Sequence, residues 1–251
     1  MIFSFPIASM SAFVTAYGQS DFFGKLVILS LIALSLVCWA VLIHKTWLTR
    51  NVRQISKAFQ IAFEKNKQHL LSLEISDLPK PRQKQIPHPF GELFDSLKQK
   101  TIEILNKNHY FAKNLKEPSQ VYLSPTDLEI LESHALTTIS AQTKNLEKNL
   151  FILSTIVTLA PFLGLLGTVW GILVTFSELH TGSSAGSNAA VLGGLSTALS
   201  TTVLGLVIAI PALVSYNYLK NAIKVFSSDM EDFLYALLSQ IELQYRKADV
   251  S

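Results

Sequence analysis

Residues Phe151–Leu219 read FILSTIVTLAPFLGLLGTVWGILVTFSELHTGSSAGSNAAVLGGLSTALSTTVLGLVIAIPALVSYNYL and contain one formal charge, Glu178. A hydrocarbon core of about 30 Å takes roughly 20 helical residues to cross, so this stretch holds two spans, 151–178 and 191–219, joined by a short polar loop, 179–190. Both spans are dense in Gly, Ala, Ser and Thr. That composition suits helix faces packed on protein or water, because a lipid-facing surface has no use for small polar residues. The expectation is a transmembrane hairpin whose small-residue faces pack around something.

A third apolar run, Leu26–Ile43, is free of charge and ends in the amphipathic pair Trp39 and Trp47, giving a first span over 23–43. A cleaved signal peptide would place its positive charge before the apolar run. Here Lys25 precedes it, whereas Lys45, Arg50 and Arg53 follow, which favours an uncleaved anchor with the N-terminus outside. Of the 21 Lys and Arg, 16 lie between His44 and Leu150 and none lies between the second and third spans. The positive-inside rule therefore places 44–150 and 220–251 in the cytoplasm and the 179–190 loop outside. The net charge of +3 follows from this topology, since no basic cluster is interleaved with aromatics as a nucleic-acid surface would require. The lone Cys38 lies in the first span and excludes a disulfide framework.

Outside the spans the chain reads as helix interrupted by proline. The outer segment 1–22 is mildly apolar and suits the membrane surface. Within the cytoplasmic part 44–124, Val52, Ile55, Phe59 and Phe63 recur every three or four residues, so the first span continues as an amphipathic helix. Pro79, Pro81, Pro87 and Pro89 make 77–90 a linker, because each ring fixes φ and lacks a donor. A short helix with Leu93, Phe94, Leu97, Ile104 and Leu105 on one face follows, until Glu117-Pro118 interrupts it. Ser124-Pro125-Thr126-Asp127 then supplies a cap, a proline at the first helical position and an early acid. Neither Gly nor Pro appears between Pro125 and Pro161, so the helix over 125–150 is expected to run unbroken into the second span. The third span likewise continues into 220–251, where Ile223, Phe226, Met230, Phe233, Leu234, Leu237, Leu238 and Ile241 form a stripe.

In the second span Gly164, Thr168, Gly171 and Thr175 share one helix face, and in the third Ala198, Thr202, Gly205, Ala209 and Ala212 do the same. Close helix packing of the small-xxx-small type, including Gly167 and Gly171, accounts for the glycines and alanines. The threonines are either pore-lining groups or hydroxyls bonded to a carbonyl one turn back or to one freed by Pro161 or Pro211. Apart from Glu178 at the rim, these two spans contain no Asp, Glu, His, Lys or Arg. A side-chain proton relay in a membrane needs an ionisable group, so a proton-conducting role requires a partner that brings the carboxylate. Phosphate-binding loops, metal-helix motifs and hydrolase elbows do not occur, and the dispersed histidines lack ligand spacing. The chain reads as a non-enzyme without catalytic residues, metal or cofactor.

Residues Ala160–Ile172, APFLGLLGTVWGI, and Gly194–Leu206, GLSTALSTTVLGL, continuing to Ile210-Pro211-Ala212 and Tyr216-Asn217, resemble the two signatures of the TolQ/ExbB/MotA proton-channel family, nearest to TolQ or ExbB. The resemblance implies an all-α integral membrane protein with three transmembrane helices, the second and third forming a long antiparallel hairpin that extends into the cytoplasm, assembled as a homopentameric ring in the bacterial inner membrane. It implies a TolR/ExbD-like single-span partner whose membrane aspartate carries protons, and a TonB/TolA-like force-transmitting protein. Thr168 and Thr202 match the family's pore threonines, with Thr175, Thr197 and Thr201 beside them. Gly164, Gly167, Gly171, Ala198, Gly205, Pro161 and Pro211 fall to helix packing. The family commonly has glutamate where this chain has Thr197, so any role of that carboxylate is absent here or shifted to a hydroxyl. The implied function is a proton-motive-force-driven motor subunit. A structural assembly protein without ion conduction is the alternative, and a transporter with its own site would show internal repeats and broken helices, which the sequence lacks.

Overall fold

In a computed structural model, residues 17–18, 20–65, 87–114, 122–180 and 188–245 are described. They form five helices in chain order: α1 (Phe22–Lys65), α2 (Pro89–Asn114), α3 (Pro125–Glu147), α4 (Leu150–His180) and α5 (Asn188–Tyr245). The outer segment up to Ala16, the prolines Pro79 and Pro81, Glu117-Pro118 and the centre of the 179–190 loop lie outside the described residues. Three helices are long and apolar enough to cross a membrane, over Phe22–Lys65, Leu150–Ser177 and Val191–Tyr245. The described residues are those of an all-helical membrane protein with three apolar spans among them.

The chain divides into two compact units. The first comprises Met1–Lys45 with Asn149–Tyr218, the second Thr46–Lys148 with Leu219–Ser251. The first unit is a sheath of apolar side chains around a small core. Val27, Leu31 and Cys38 of α1 pack with Ile156 and Ala160 of α4 and Ile208, Ala209 and Ala212 of α5. Large apolar side chains, among them Leu165, Val169, Leu173, Leu199, Val203 and Ile210, stand exposed on the flanks of α4 and α5. Such a continuous apolar surface is what a lipid or protein environment covers.

The second unit is organised by aromatic rings. Phe233 of α5 meets Phe63 of α1 at 5.2 Å and Phe90 of α2 at 5.1 Å between ring centroids, and Phe59 meets Phe94 at 6.1 Å. The α5 stripe is buried as its period indicates, from Ile223 and Phe226 through Met230, Phe233, Leu234 and Leu237 to Ile241, with Leu238 at the margin. On α1 the inner face is Val52, Phe59 and Phe63 as expected, but Ile55 is only half-buried and Ser56 takes the inner place, its Oγ without a partner. Helix α3 buries Leu131, Ala135, Ile139, Gln142 and Leu146. Against α2 it adds polar contacts from Ser96 Oγ to His134 Nε2 at 2.9 Å and to Thr138 Oγ1 at 3.3 Å, and from the Gln142 amide to Glu92.

Two expectations are corrected. Helix α2 starts at Pro89 and runs to Asn114, so the last proline of the 77–90 linker is helical. It stands at the first turn, where a missing N–H leaves nothing unsatisfied. The helix from Pro125 does not enter the second span unbroken. It ends at Glu147, Lys148 turns to φ −49° and ψ 131°, and Asn149 takes φ 70° before α4 begins at Leu150. The left-handed region needs no glycine when asparagine is available, because its short polar side chain tolerates it. A scan for Gly and Pro alone passes over this break.

Candidate functional site: the seam between α4 and α5

Glycines hold α4 and α5 in contact. A Cβ added to Gly164 would lie 2.9 Å from the Thr201 carbonyl oxygen and 2.9 Å from Thr202 Cα. At Gly167 the neighbour is the Thr201 side chain, at Gly171 it is Ala198 Cβ at 2.8 Å, at Gly194 it is Thr175 Oγ1, and at Gly205 it is the Ala160 carbonyl. Rising numbers on α4 thus meet falling numbers on α5, from Ala160 with Gly205 to Thr175 with Gly194. Backbone approach this close is available only where side chains are absent, and in a membrane it supplies the dispersion contacts that hold helices together. Gly164, Gly167, Gly171, Ala198 and Gly205 all stand in this seam.

The threonines sit in the same seam. Thr202 Oγ1 donates to the Gly164 carbonyl at 3.0 Å and lies 3.5 Å from Thr168 Oγ1. Thr201 Oγ1 donates to Ala198 O at 2.7 Å and reaches the Gly164 carbonyl at 3.2 Å. Thr168 donates to Leu165 O at 2.7 Å, Thr175 to Gly171 O at 2.8 Å and Thr197 to Gly193 O at 2.9 Å. Both cross-helix bonds converge on Gly164 O, rather than on the carbonyls one turn before Pro161 or Pro211. Pro161 and Pro211 are accommodated inside α4 and α5. Thr168 and Thr201 are buried at 8% and 4% exposure within the single chain, and Thr202 is half-buried. The structure brings Thr201 and Thr202 together on the Gly164 carbonyl, with Thr168 bonded to Leu165 O and 3.5 Å from Thr202. It places Thr175 and Thr197 further along, toward the ends of the spans where α4 finishes and α5 begins.

A cavity of about 460 Å³ opens there, walled by Trp170, Gly171, Thr175, Gly194, Thr197 and Thr201, and by Ser20, Asp21 and Gly24 at the start of α1. Asp21 is a residue that the sequence reading passed over. One carboxylate oxygen accepts the Gly24 N–H at 2.8 Å and the other the Trp170 indole N–H at 2.8 Å, while the Trp170 ring rests on Phe23 at 4.3 Å between centroids. Its signal was local, an acid immediately before an apolar helix in the position of an N-cap. Its contact with Trp170 spans 149 positions and has no local signal. Among the described residues no group of three His, Cys, Asp or Glu is placed to hold a metal ion.

A sequence profile described as the MotA/TolQ/ExbB proton channel family matches residues 104–232, which include the whole seam. The chain belongs to this family. Relatives in the MotA/TolQ/ExbB family include the Tol-Pal system protein TolQ of Haemophilus influenzae, 25% identical over 227 residues that cover 88% of this chain and 90% of TolQ. The biopolymer transport protein ExbB of Helicobacter pylori is 44% identical over 108 residues, 43% of this chain and 70% of that protein. ExbB of Pseudomonas putida is 28% identical over 223 residues, covering 86% and 59% of the two chains. The chain is similar to TolQ along most of its length, and its identity to ExbB is highest over shorter stretches. Family membership supports an energy-transducing motor subunit in general terms.

Proposed function

We propose that this chain is the channel subunit of a proton-motive-force-driven motor in the bacterial inner membrane. It works with a TolR/ExbD-like single-span protein to energise cell-envelope or outer-membrane processes through a TonB/TolA-like force transmitter. The spans over 23–43, 151–178 and 191–219 cross the membrane, with 1–22 and 179–190 outside and 44–150 and 220–251 in the cytoplasm. Five copies form a ring around the partner helices, and α4 with α5 is the antiparallel hairpin that lines it.

The observation that carries this reading is the pairing of Thr168 with Thr202 in two apolar spans that have no carboxylate of their own at that level. A membrane potential supplies about 2.3 kcal/mol per charge per 100 mV. The family signature supports a channel role, and the shortage of charge in these spans supports a proton-carrying acid on the partner. The threonine oxygens and the Gly164 carbonyl then offer the acid neutral acceptors. Substituting Thr168→Val or Thr202→Val should abolish energised output and leave protein abundance and assembly intact. Undiminished output in both variants sinks the assignment.

One observation favours the structural alternative. Each threonine hydroxyl of the seam already donates to a backbone carbonyl, which is what pure helix packing needs. Sensitivity of output to a protonophore, together with a co-purifying single-span protein bearing a membrane Asp, separates the motor from a scaffold.

A further inference from the structure

One exposed face of α1 changes its chemistry along the helix. Leu29, Ile32, Leu36, Ile43 and Trp47 follow one another on it at spacings of three, four, seven and four, and all five are exposed. From Leu29 to Trp47 the helix rises about 27 Å, close to the roughly 30 Å of a hydrocarbon core. Trp47 therefore falls at the headgroup border, where an indole keeps its ring in hydrocarbon and its N–H in the polar layer. Arg50 and Lys57 carry the same face onward at spacings of three and seven, both exposed, with half-buried Arg53 flanking them. Glu64 is the only acid in α1. Among the described residues no side chain forms a hydrogen bond or ion pair with Arg50, Arg53, Lys57 or the Trp47 indole N–H.

We propose that Trp47, Arg50, Arg53 and Lys57 form a headgroup site for an anionic phospholipid, whose acyl chain lies along α1 on Leu36 and Ile43. The complement of three cations beside an indole N–H, directly above an apolar face, is a phosphodiester anion at the membrane surface. A guanidinium fork takes two phosphate oxygens at once, which a point charge does not. A zwitterionic headgroup also carries phosphate, but its own cation cancels the charge that Arg53 and Lys57 would meet, so the site selects the anionic lipid. A soluble acidic protein would satisfy the cations and leave Trp47 and Ile43 uncovered beneath them. Lipid bound here fixes the depth of α1, since a shift by one turn takes Arg50 into hydrocarbon or Ile43 into the polar layer. The site needs only that α1 crosses the membrane, and its place on the cytoplasmic side rests on the topology proposed above.

The test places the full-length chain, with Trp39→Phe and Trp170→Phe so that Trp47 alone reports, in vesicles of phosphatidylcholine and phosphatidylglycerol. One lipid or the other carries brominated chains, which quench indole fluorescence. At equal mole fraction brominated phosphatidylglycerol should quench Trp47 more. The relative affinity drawn from the two curves should fall about fivefold in Arg50→Gln, the worth of one cation at an anionic surface. Lys107→Gln, which removes a cation of α2, should leave it unchanged, and an equal fall there overturns the site in favour of net charge. Equal quenching by the two lipids overturns it outright and leaves the cations to an acidic protein. Loss of the preference on adding inorganic phosphate assigns them to a soluble anion and likewise overturns it. Native mass spectrometry of the wild type from mixed micelles of the two lipids reads the same preference without the tryptophan substitutions. Phosphatidylglycerol should be the lipid retained, and equal retention of both sinks the proposal. Neither measurement uses a gradient or a partner protein, so failure of the motor reading leaves this site standing and failure of the site leaves the motor standing.

Discussion

Gly164 faces backbone on the opposite helix at a distance that admits no side chain. Its missing side chain faces the Thr201 carbonyl and the Thr202 backbone, neither of which can rotate away as a flexible side chain would. Gly164→Val should cost about 1–3 kcal/mol by overpacking, read as a lower melting temperature of the purified protein in detergent. Gly171→Ala meets only Ala198 Cβ at 2.8 Å and the α5 backbone behind it at 3.3 Å, so it should cost less than Gly164→Val in the same assay. The sequence made the small-residue faces legible because spacings of three and four are properties of one helix. It left open whether each threonine bonds its own turn or another helix. Thr175 and Thr197 do the first, Thr202 does the second and Thr201 does both. Asp21 was legible as an N-cap and illegible as the partner of Trp170, because nothing local in either residue announces the other.

Helix α3 shows how much of an element is written in its first four residues. Ser124 Oγ accepts the Asp127 N–H at 3.2 Å, and the Asp127 carboxylate accepts the Ser124 N–H at 2.9 Å, which is the reciprocal cap its sequence indicates. Ser124→Ala should cost about 1 kcal/mol in thermal or chemical unfolding of the second unit. Partial burial pushes the Asp127 pKa up, but the N–H and hydroxyl of Ser124 and the amide of Asn108 bond its charged form and hold it below the usual carboxylate value. A folded pKa below the unfolded one stabilises the fold above the unfolded value, and that contribution is lost as pH falls through the folded value. The stability gap between wild type and Asp127→Asn should therefore be constant near neutral pH and close on acidification through and below the ordinary aspartate range. Melting temperature against pH measures it. The other end of α3 was not legible. Asn149 at φ 70° stops the helix without glycine or proline, and Asn149→Ala should destabilise by about 1 kcal/mol, since a Cβ without a compensating amide disfavours that conformation.

At the scale of the whole molecule the two units respond to different substitutions. Phe233→Ala removes a ring that touches Phe59, Phe63 and Phe90, and should destabilise the second unit by about 3–5 kcal/mol. Limited proteolysis of the residues outside the first unit should reveal it. Thr168→Val replaces a hydroxyl by a methyl of similar size and should leave melting nearly unchanged while energised output is lost. A scaffold would show the reverse, with output following stability in every variant.

Three spans, their continuation as amphipathic helices at 44–65 and 220–245, and the shortage of membrane carboxylates were determined by the sequence alone. Each depends on composition or on periodicity within one segment, and local physics suffices for both. The tertiary structure decided which carbonyl the threonines share, where α3 breaks from α4, and that Asp21 stands beside Trp170 at a cavity leading to Thr197 and Thr201. These are contacts between residues far apart in the chain. They follow from which glycines allow two backbones to touch, and that is settled only when the helices pack.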